Sequence, residues 1–279
     1  MKTVFCIDDS PGYLLLLKVA VRSLRAVHGP DAPCLCVYGG DKAEVLQSLA
    51  AEAIPVARHQ LRLPTEKMTP LALACRGCFL KLELAILPEL AGDDAVLYCD
   101  ADVLFRQPLD ALFNGPLPPY MGMVREHTAP FWHEHQRMEY LWRGHRHVVP
   151  MPFPIWTFSS GVVLFNLERL RRRDLIGHFL AFAGQNVDKI GNLDQSLLNY
   201  FFGKRITRLD ERWNCPPYLT QSLEQGHIVH FHGAKPWDTT SAVLKDLRIN
   251  HFETLRQAWF AYLRPDEREQ LAARFQRGK

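Results

Sequence analysis

Short apolar runs alternate with stretches of helical periodicity over the first hundred residues. Residues 3–7 are an apolar run closed by Asp8, Asp9, Ser10 and Pro11. Ser10 ahead of Pro11 predicts a helix start, with the serine oxygen as cap and the proline in the first turn. Leu14, Leu17, Val21 and Leu24 then recur at helical spacing as far as the breaker Gly29-Pro30. Residues 34–38 predict a second strand, 42–52 a helix, 54–57 a third strand and 79–90 another helix. Residues 95–99 form a strongly apolar strand that runs into Asp100-Ala101-Asp102. Such alternation is the pattern of βαβ units. The predicted class is therefore α/β, with a mainly parallel central sheet flanked by helices.

After about residue 115 the regularity breaks. Residues 115–157 hold many prolines, the histidines His127, His133, His135, His145 and His147, and aromatics including Trp132 and Trp142. Long irregular segments in compact domains tend to carry function. Residues 158–167 read as strand again, 175–183 and 192–202 as helices, and 227–231 as a short strand. From Phe252 onward the tail carries Trp259, Phe260, Tyr262 and several arginines. Acidic residues interrupt its basic face, which favours a helix packed on the body over one lying on an anionic membrane. The predicted organisation is a domain over 1–250 followed by a helical tail over 251–279.

Composition narrows the classes. Hydrophobic residues make up 47% and charged residues 23%, as in ordinary globular enzymes. A formal charge of +3 is too small for a nucleic-acid partner. No stretch approaches the ~18 uninterrupted apolar residues of a membrane-spanning helix. The first ten residues lack the apolar run of a secretory signal, so the expected location is cytoplasmic, with peripheral contact at the inner membrane face through the tail as a variant. Seven cysteines at irregular spacing argue against a disulfide framework, and Cys75-Arg76-Gly77-Cys78 has no second pair to complete a zinc site.

Chemistry concentrates in two places. In an extended segment residues i and i+2 point the same way, so Asp100 and Asp102 can converge on one cation. They end a strand, at the edge where open α/β sheets bind ligands. Two carboxylates suit a hard divalent ion with positions left for phosphate oxygens. A dehalogenase-type phosphatase also ends a strand in D-x-D, but there the strand comes early and a small hydroxyl residue follows, where this chain has Leu104. The second place is His230-Phe231-His232-Gly233-Ala234-Lys235-Pro236-Trp237. An imidazole beside two carboxylates shifts the preferred ion toward manganese. Gly233 lets backbone approach a ligand, and Lys235 offers a point charge for phosphate.

With these motifs the sequence resembles glycosyltransferase family 8, over nearly the whole chain and in order. Val4-Phe5-Cys6-Ile7-Asp8-Asp9 resembles the family's first strand, Phe79-Leu80-Lys81-Leu82 its basic helix, and the acidic triplet its D-x-D. Phe158-Ser159-Ser160-Gly161 through Leu167 is similar to the F-N-x-G strand, and Asp194-Gln195-Ser196-Leu197-Leu198-Asn199 to D-Q-x-x-L-N. The resemblance implies a retaining transferase of GT-A fold with a UDP-sugar donor (galactose or glucose) and manganese, magnesium being the alternative ion. It implies that Asp100, Asp102 and His230 ligate the metal. Cys6, Asp8 and Ala101 would face the nucleotide, Gly233 and Lys235 the diphosphate. Lys81 would lie near the donor, with Ser160, Gly161, Asp194 and Gln195 around the transferred sugar, the last two as the catalytic pair. The acceptor would be a glycan, a lipid-linked sugar or a protein, held by the aromatic segment as a lid.

Three departures stand out. Ser159 replaces the usual asparagine, Ser10-Pro11 the usual Asn-aromatic pair, and only Ala234 separates Gly233 from Lys235 where the family has two residues. They motivate an alternative, a nucleotide-sugar-binding protein without turnover. They also leave open whether Tyr13 faces the base, and whether His232 joins the metal.

Overall fold

A computed structural model of the chain describes residues 1–10, 12–126, 138–142, 145–149, 156–238 and 250–276. Its strands are β1 (Lys2–Ile7), β2 (Cys34–Tyr38), β3 (Val56–Arg58), β4 (Ala95–Cys99), β5 (Val103–Phe105), β6 (Met121–Arg125), β7 (Met138–Trp142), β8 (His145–Val149), β9 (Phe158–Asn166), β10 (Ile206–Arg208) and β11 (Ile228–His230). The longer helices are α1 (Tyr13–His28), α2 (Ala43–Ala51), α3 (Leu175–Asn186), α4 (Leu193–Phe202), α5 (Asn250–Phe260) and α6 (Pro265–Gln276).

Seven strands form the central sheet in the order β10-β6-β9-β4-β1-β2-β3. β4, β1, β2 and β3 pair in parallel, as do β10 and β6, and β9 alone runs against its neighbours β4 and β6. The mainly parallel α/β sheet expected from the alternation is present. Its strands read as unbroken apolar runs because both faces are covered. Alternate residues sort cleanly: Phe5, Ile7, Cys36, Leu97, Cys99 and Leu164 join one core, with α1, Phe252, Leu255 and Trp259. Val4, Cys6, Val37, Val96, Tyr98 and Phe165 join the other, with Phe79, Leu82, Phe179 and Phe202. A period of two has thus divided each strand between two layers.

The chain visits β1, β2 and β3 on one side before crossing to β4 on the other side of β1. The carboxyl ends of β1 and β4 therefore flank the point where strand order reverses, the place where ligands enter such sheets. A second, two-stranded pair completes that edge. β5 and β11 are antiparallel, with Val103 opposite His230, and Phe231 N donates to Asp102 O at 2.8 Å. This pairing brings the end of the acidic triplet to a histidine far along the chain.

Several local expectations give way. α1 starts at Tyr13, after Gly12 at φ +93°, with no side-chain cap; Ser10 only offers its carbonyl to Tyr13 N, and Pro11 lies outside the described residues. β3 starts two residues later than expected. Residues 76–86 wind as a 3-10 helix, Arg76–Ile86, and not as an α-helix. The segment expected to be irregular holds β6 and the antiparallel hairpin β7–β8. His127, His133, His135 and Trp132 lie outside the described residues; His145, His147 and Trp142 fall on the hairpin. The tail is helical and packs on the body: Phe252, Leu255, Trp259, Leu263 and Leu271 are buried in the core that α1 builds. No described helix is long and apolar enough to cross a membrane.

Candidate active site

A cleft of about 320 Å³ opens at the carboxyl ends of β1 and β4. Twelve of the thirteen sequence-predicted site residues line it: Cys6, Asp8, Asp100, Ala101, Asp102, Ser160, Gly161, Asp194, Gln195, His230, Gly233 and Lys235. Lys81 does not. Its side chain is 1% exposed, and its ammonium lies behind the wall, 3.0 Å from Asp100 Oδ1 and 2.8 Å from Asp194 Oδ2. It also donates to Ser160 O at 3.1 Å and sits 4.5 Å above the Tyr98 ring. Burial would lower its pKa, but Asp100 and Asp194 more than offset that and hold it charged. Lys81 is a counter-ion to two cleft carboxylates.

Asp100, Asp102 and His230 each offer a ligand atom, and these atoms lie within 4.8 Å of one another. Among the described residues they form the one such group. His230 Nε2 is 3.2 Å from Asp102 Oδ1 and 3.6 Å from Asp100 Oδ2. Asp100 is fixed by Lys81, by Tyr98 Oη donating at 2.5 Å, and by its own N–H donating to Gly161 O at 2.7 Å. Asp102 is buried, which by itself would raise its pKa; Lys235 at 2.5 Å and His230 hold it well below the usual carboxylate range. Gly161 has a specific reason to be glycine, because a Cβ there would stand 2.0 Å from His230 Cε1.

Despite the shortened loop, Lys235 reaches the site. Gly233 at φ +80° turns the chain, a conformation glycine adopts without strain. Burial would lower the Lys235 pKa, and Asp102 raises it further than burial lowers it. His232 lines the cleft but stays outside the ligand trio. Its Nε2 lies 3.1 Å from Tyr218 Oη, and burial, then His230, push it down to about 4, so it is neutral. Asp8 lines the cleft with its carboxylate accepting from Ser10 N at 2.8 Å and Gly77 N at 2.9 Å. Tyr13 also lines it, its hydroxyl pushed up to about 12 by burial.

The D-Q-x-x-L-N run has a direct structural meaning. α4 lies against the start of β9 and supplies partners to its main chain. Gln195 Oε1 accepts from Ser160 N at 2.9 Å; Asn199 accepts from Phe158 N at 2.8 Å and donates to Phe158 O at 2.7 Å. Residues 195 and 199 are one helical turn apart, so they share a face. Leu193, at φ +46°, sits at the head of this helix and in the cleft wall, a strained backbone where the ligand would lie.

Sequence reading missed two buried residues here. Glu126 lines the cleft and accepts from Gln195 Nε2 at 3.2 Å. It is a lone glutamate after a strand, with no spacing to mark it. Asn214 is 3% exposed and contacts His230 Nδ1 at 2.9 Å. It lies fourteen positions before the strand that ends in His230, and no motif marks it.

The profile of glycosyl transferase family 8 matches residues 75–241. Among curated proteins the chain is similar to the glycosyltransferases GlyB and GlyF of Streptococcus pneumoniae serotype 4. It is 24% identical to GlyB over 63% of this chain and 40% of that one, and 24% identical to GlyF over 62% and 39%. The chain thus spans about 40% of the length of these relatives. Among solved structures it shares the GT-A fold of galactosyltransferase LgtC, in complex with donor and acceptor sugar analogues, at TM-score 0.68 and 22% identity over 97% of this chain and 100% of that one. GlyE of Streptococcus pneumoniae superposes at TM-score 0.63, with 17% identity over 99% and 63%. Since the family profile accounts for more than half of its length, from Cys75 through the second motif, the chain belongs to glycosyl transferase family 8.

Proposed function

We propose that this chain is a retaining glycosyltransferase that moves a hexose, galactose or glucose, from a UDP-sugar to a glycan, lipid-linked or protein acceptor. What carries the reading is the convergence of two carboxylates and an imidazole from distant segments, with a lysine ammonium beside them in one cleft. The donor set fits a divalent ion such as manganese, or magnesium: hard oxygens from Asp100 and Asp102 and one imidazole nitrogen from His230. When bound, the ion would neutralise charge on the departing diphosphate.

The residues of the chain would do the rest. Lys235 meets the same negative charge from the other side of Asp102. Tyr13 and Asp8 bound the end of the cleft nearest β1, where the base would lie. Asp194 and Gln195 place oxygens in the wall where the sugar would sit, suited to an oxocarbenium-like centre. Lys81 keeps Asp194 and Asp100 in place without entering the cleft.

The test is consumption of UDP-sugars, with and without manganese, followed as slow donor hydrolysis. UDP-hexose turnover that requires the metal supports the transferase. UDP binding without any turnover of a UDP-sugar would transfer the case to the nucleotide-sugar-binding alternative. Asp102→Asn should abolish metal-dependent UDP binding, and unchanged affinity would refute the metal assignment.

A further inference from the structure

His230 has two ring nitrogens, and the ligand trio uses one. Nε2 faces the two carboxylates; Nδ1 faces Asn214 Oδ1 at 2.9 Å. The other end of that amide is engaged too, since Asn214 Nδ2 donates to Ser159 Oγ at 3.0 Å. Ser159, Asn214 and His230 are all buried.

A neutral imidazole offers a lone pair at one nitrogen only when the proton sits on the other. The hydrogen-bond network, and not the ring itself, assigns that proton. An amide whose nitrogen is committed to Ser159 presents its oxygen to His230, and an amide oxygen only accepts. Nδ1 must then carry a proton, so Nε2 can give its lone pair to a cation held by the carboxylates and shares a proton with Asp102 when no cation is there. We propose that Asn214 is a positioning residue that holds the Nδ1 proton of His230 and so keeps Nε2 ready for the metal, with Ser159 fixing where the Asn214 side chain sits. The inference rests on the metal-dependent transferase reading above.

The surrounding backbone holds this relay in register. Cys215 N donates to Ile228 O at 2.9 Å and His230 N to Cys215 O at 2.8 Å, lacing the segment after Asn214 to β11. Ser159 and Gly161 both lie in the stretch of β9 where its register against β6 shifts. Gly161 makes room for the imidazole and Ser159 fixes its partner. The position where the family pattern carries asparagine is here committed to orienting a histidine. Ligating histidines gain orientation and basicity from such outer partners, whose loss weakens metal binding about 10–100-fold.

Two measurements test this on the full chain. First, ¹⁵N NMR of histidine-labelled, metal-free protein should show His230 protonated at Nδ1. Asn214→Leu and Ser159→Ala should shift it toward the other tautomer, whereas Asn214→Asp, which keeps an acceptor oxygen, should not. Second, Mn²⁺ affinity, read by EPR with UDP present, should fall about 10–100-fold in Asn214→Leu, by less in Ser159→Ala, and stay near wild type in Asn214→Asp. Should Asn214→Leu fail to fold, the milder Ser159→Ala carries the test. A wild-type His230 without a proton at Nδ1, or variants with wild-type Nδ1 protonation and affinity, would overturn the relay. A wild-type chain that binds no Mn²⁺ would instead overturn the transferase reading beneath it.

Discussion

Lys81 carries a charge into a place where water cannot reach it, and among the described residues two aspartates pair with it. Removing one member of a buried ion cluster leaves charge stranded, at a cost of about 3–5 kcal/mol. Lys81→Met should therefore lower the urea midpoint by that equivalent at unchanged slope. Adding Asp194→Asn should recover part of the loss, because the second change removes one of the stranded charges. A midpoint within experimental scatter of wild type would show that Asp100 and Asp194 need no counter-ion. The residue scale is also where the sequence was most informative. Candidate site residues in or just after strands sit in motifs whose spacing is visible, so the gathering of Asp100, Asp102, His230 and Lys235 in one cleft was legible. Asn214 and Glu126 were not, because their roles arise from packing against His230 and Gln195 and leave no periodic trace.

Elements were legible where a single period dominates. α1 has a clear apolar face, and β1 from Val4 onward, β2 and β4 are unbroken apolar runs. The 3-10 stretch Arg76–Ile86 defeated propensity, since Leu, Lys, Glu and Ala all favour an α-helix. Here tertiary demands prevail: the segment is buried on nearly every side, with Lys81 turned to Asp100 and Glu83 to the N–H groups of Arg62 and Leu63. The docking of α6 makes a prediction at this scale. Arg22 grips Glu267 with two nitrogens, at 2.5 and 2.8 Å, and Arg264 N donates to the same carboxylate at 2.9 Å. Burial would raise the Glu267 pKa; Arg22, Arg264 N and Lys18 bring it down to about 2. A depressed carboxyl pKa means stability present above about pH 4.5 and lost as pH falls toward about 2. Glu267→Gln should thus cost about 1.5–3 kcal/mol at pH 7. The gap to wild type should narrow below about pH 4.5, with over half of it gone by about pH 3. Denaturant titrations of both proteins across that range measure it, and a gap independent of pH would sink the assignment.

At the scale of the molecule, strand alternation gave the mainly parallel sheet but not the direction of β9, since nine consecutive buried residues read the same both ways. That reversed strand matters, because it places Gly161 beside Asp100 and puts Ser159 within reach of Asn214. The site is therefore assembled from β1, β4, β9, α4 and β11 at once, and its charges act together. Asp100, Asp102 and Asp194 face two ammonium groups, Lys81 and Lys235, so the cluster keeps one net negative charge. A divalent cation would reverse that sign and prepare the cleft for a diphosphate, and a diphosphate would in turn favour the cation. Such coupling is reciprocal by thermodynamic necessity, typically 5–150-fold in affinity. Manganese should raise UDP affinity about 10–100-fold, and UDP should raise manganese affinity by the same factor. Calorimetric titrations run in both orders measure the two factors. Asp102→Asn should erase both, which separates coupling on the protein from Mn²⁺–UDP association in solution. UDP that binds equally well with and without manganese would show that the two ligands do not share the Asp100–Asp102–His230 site.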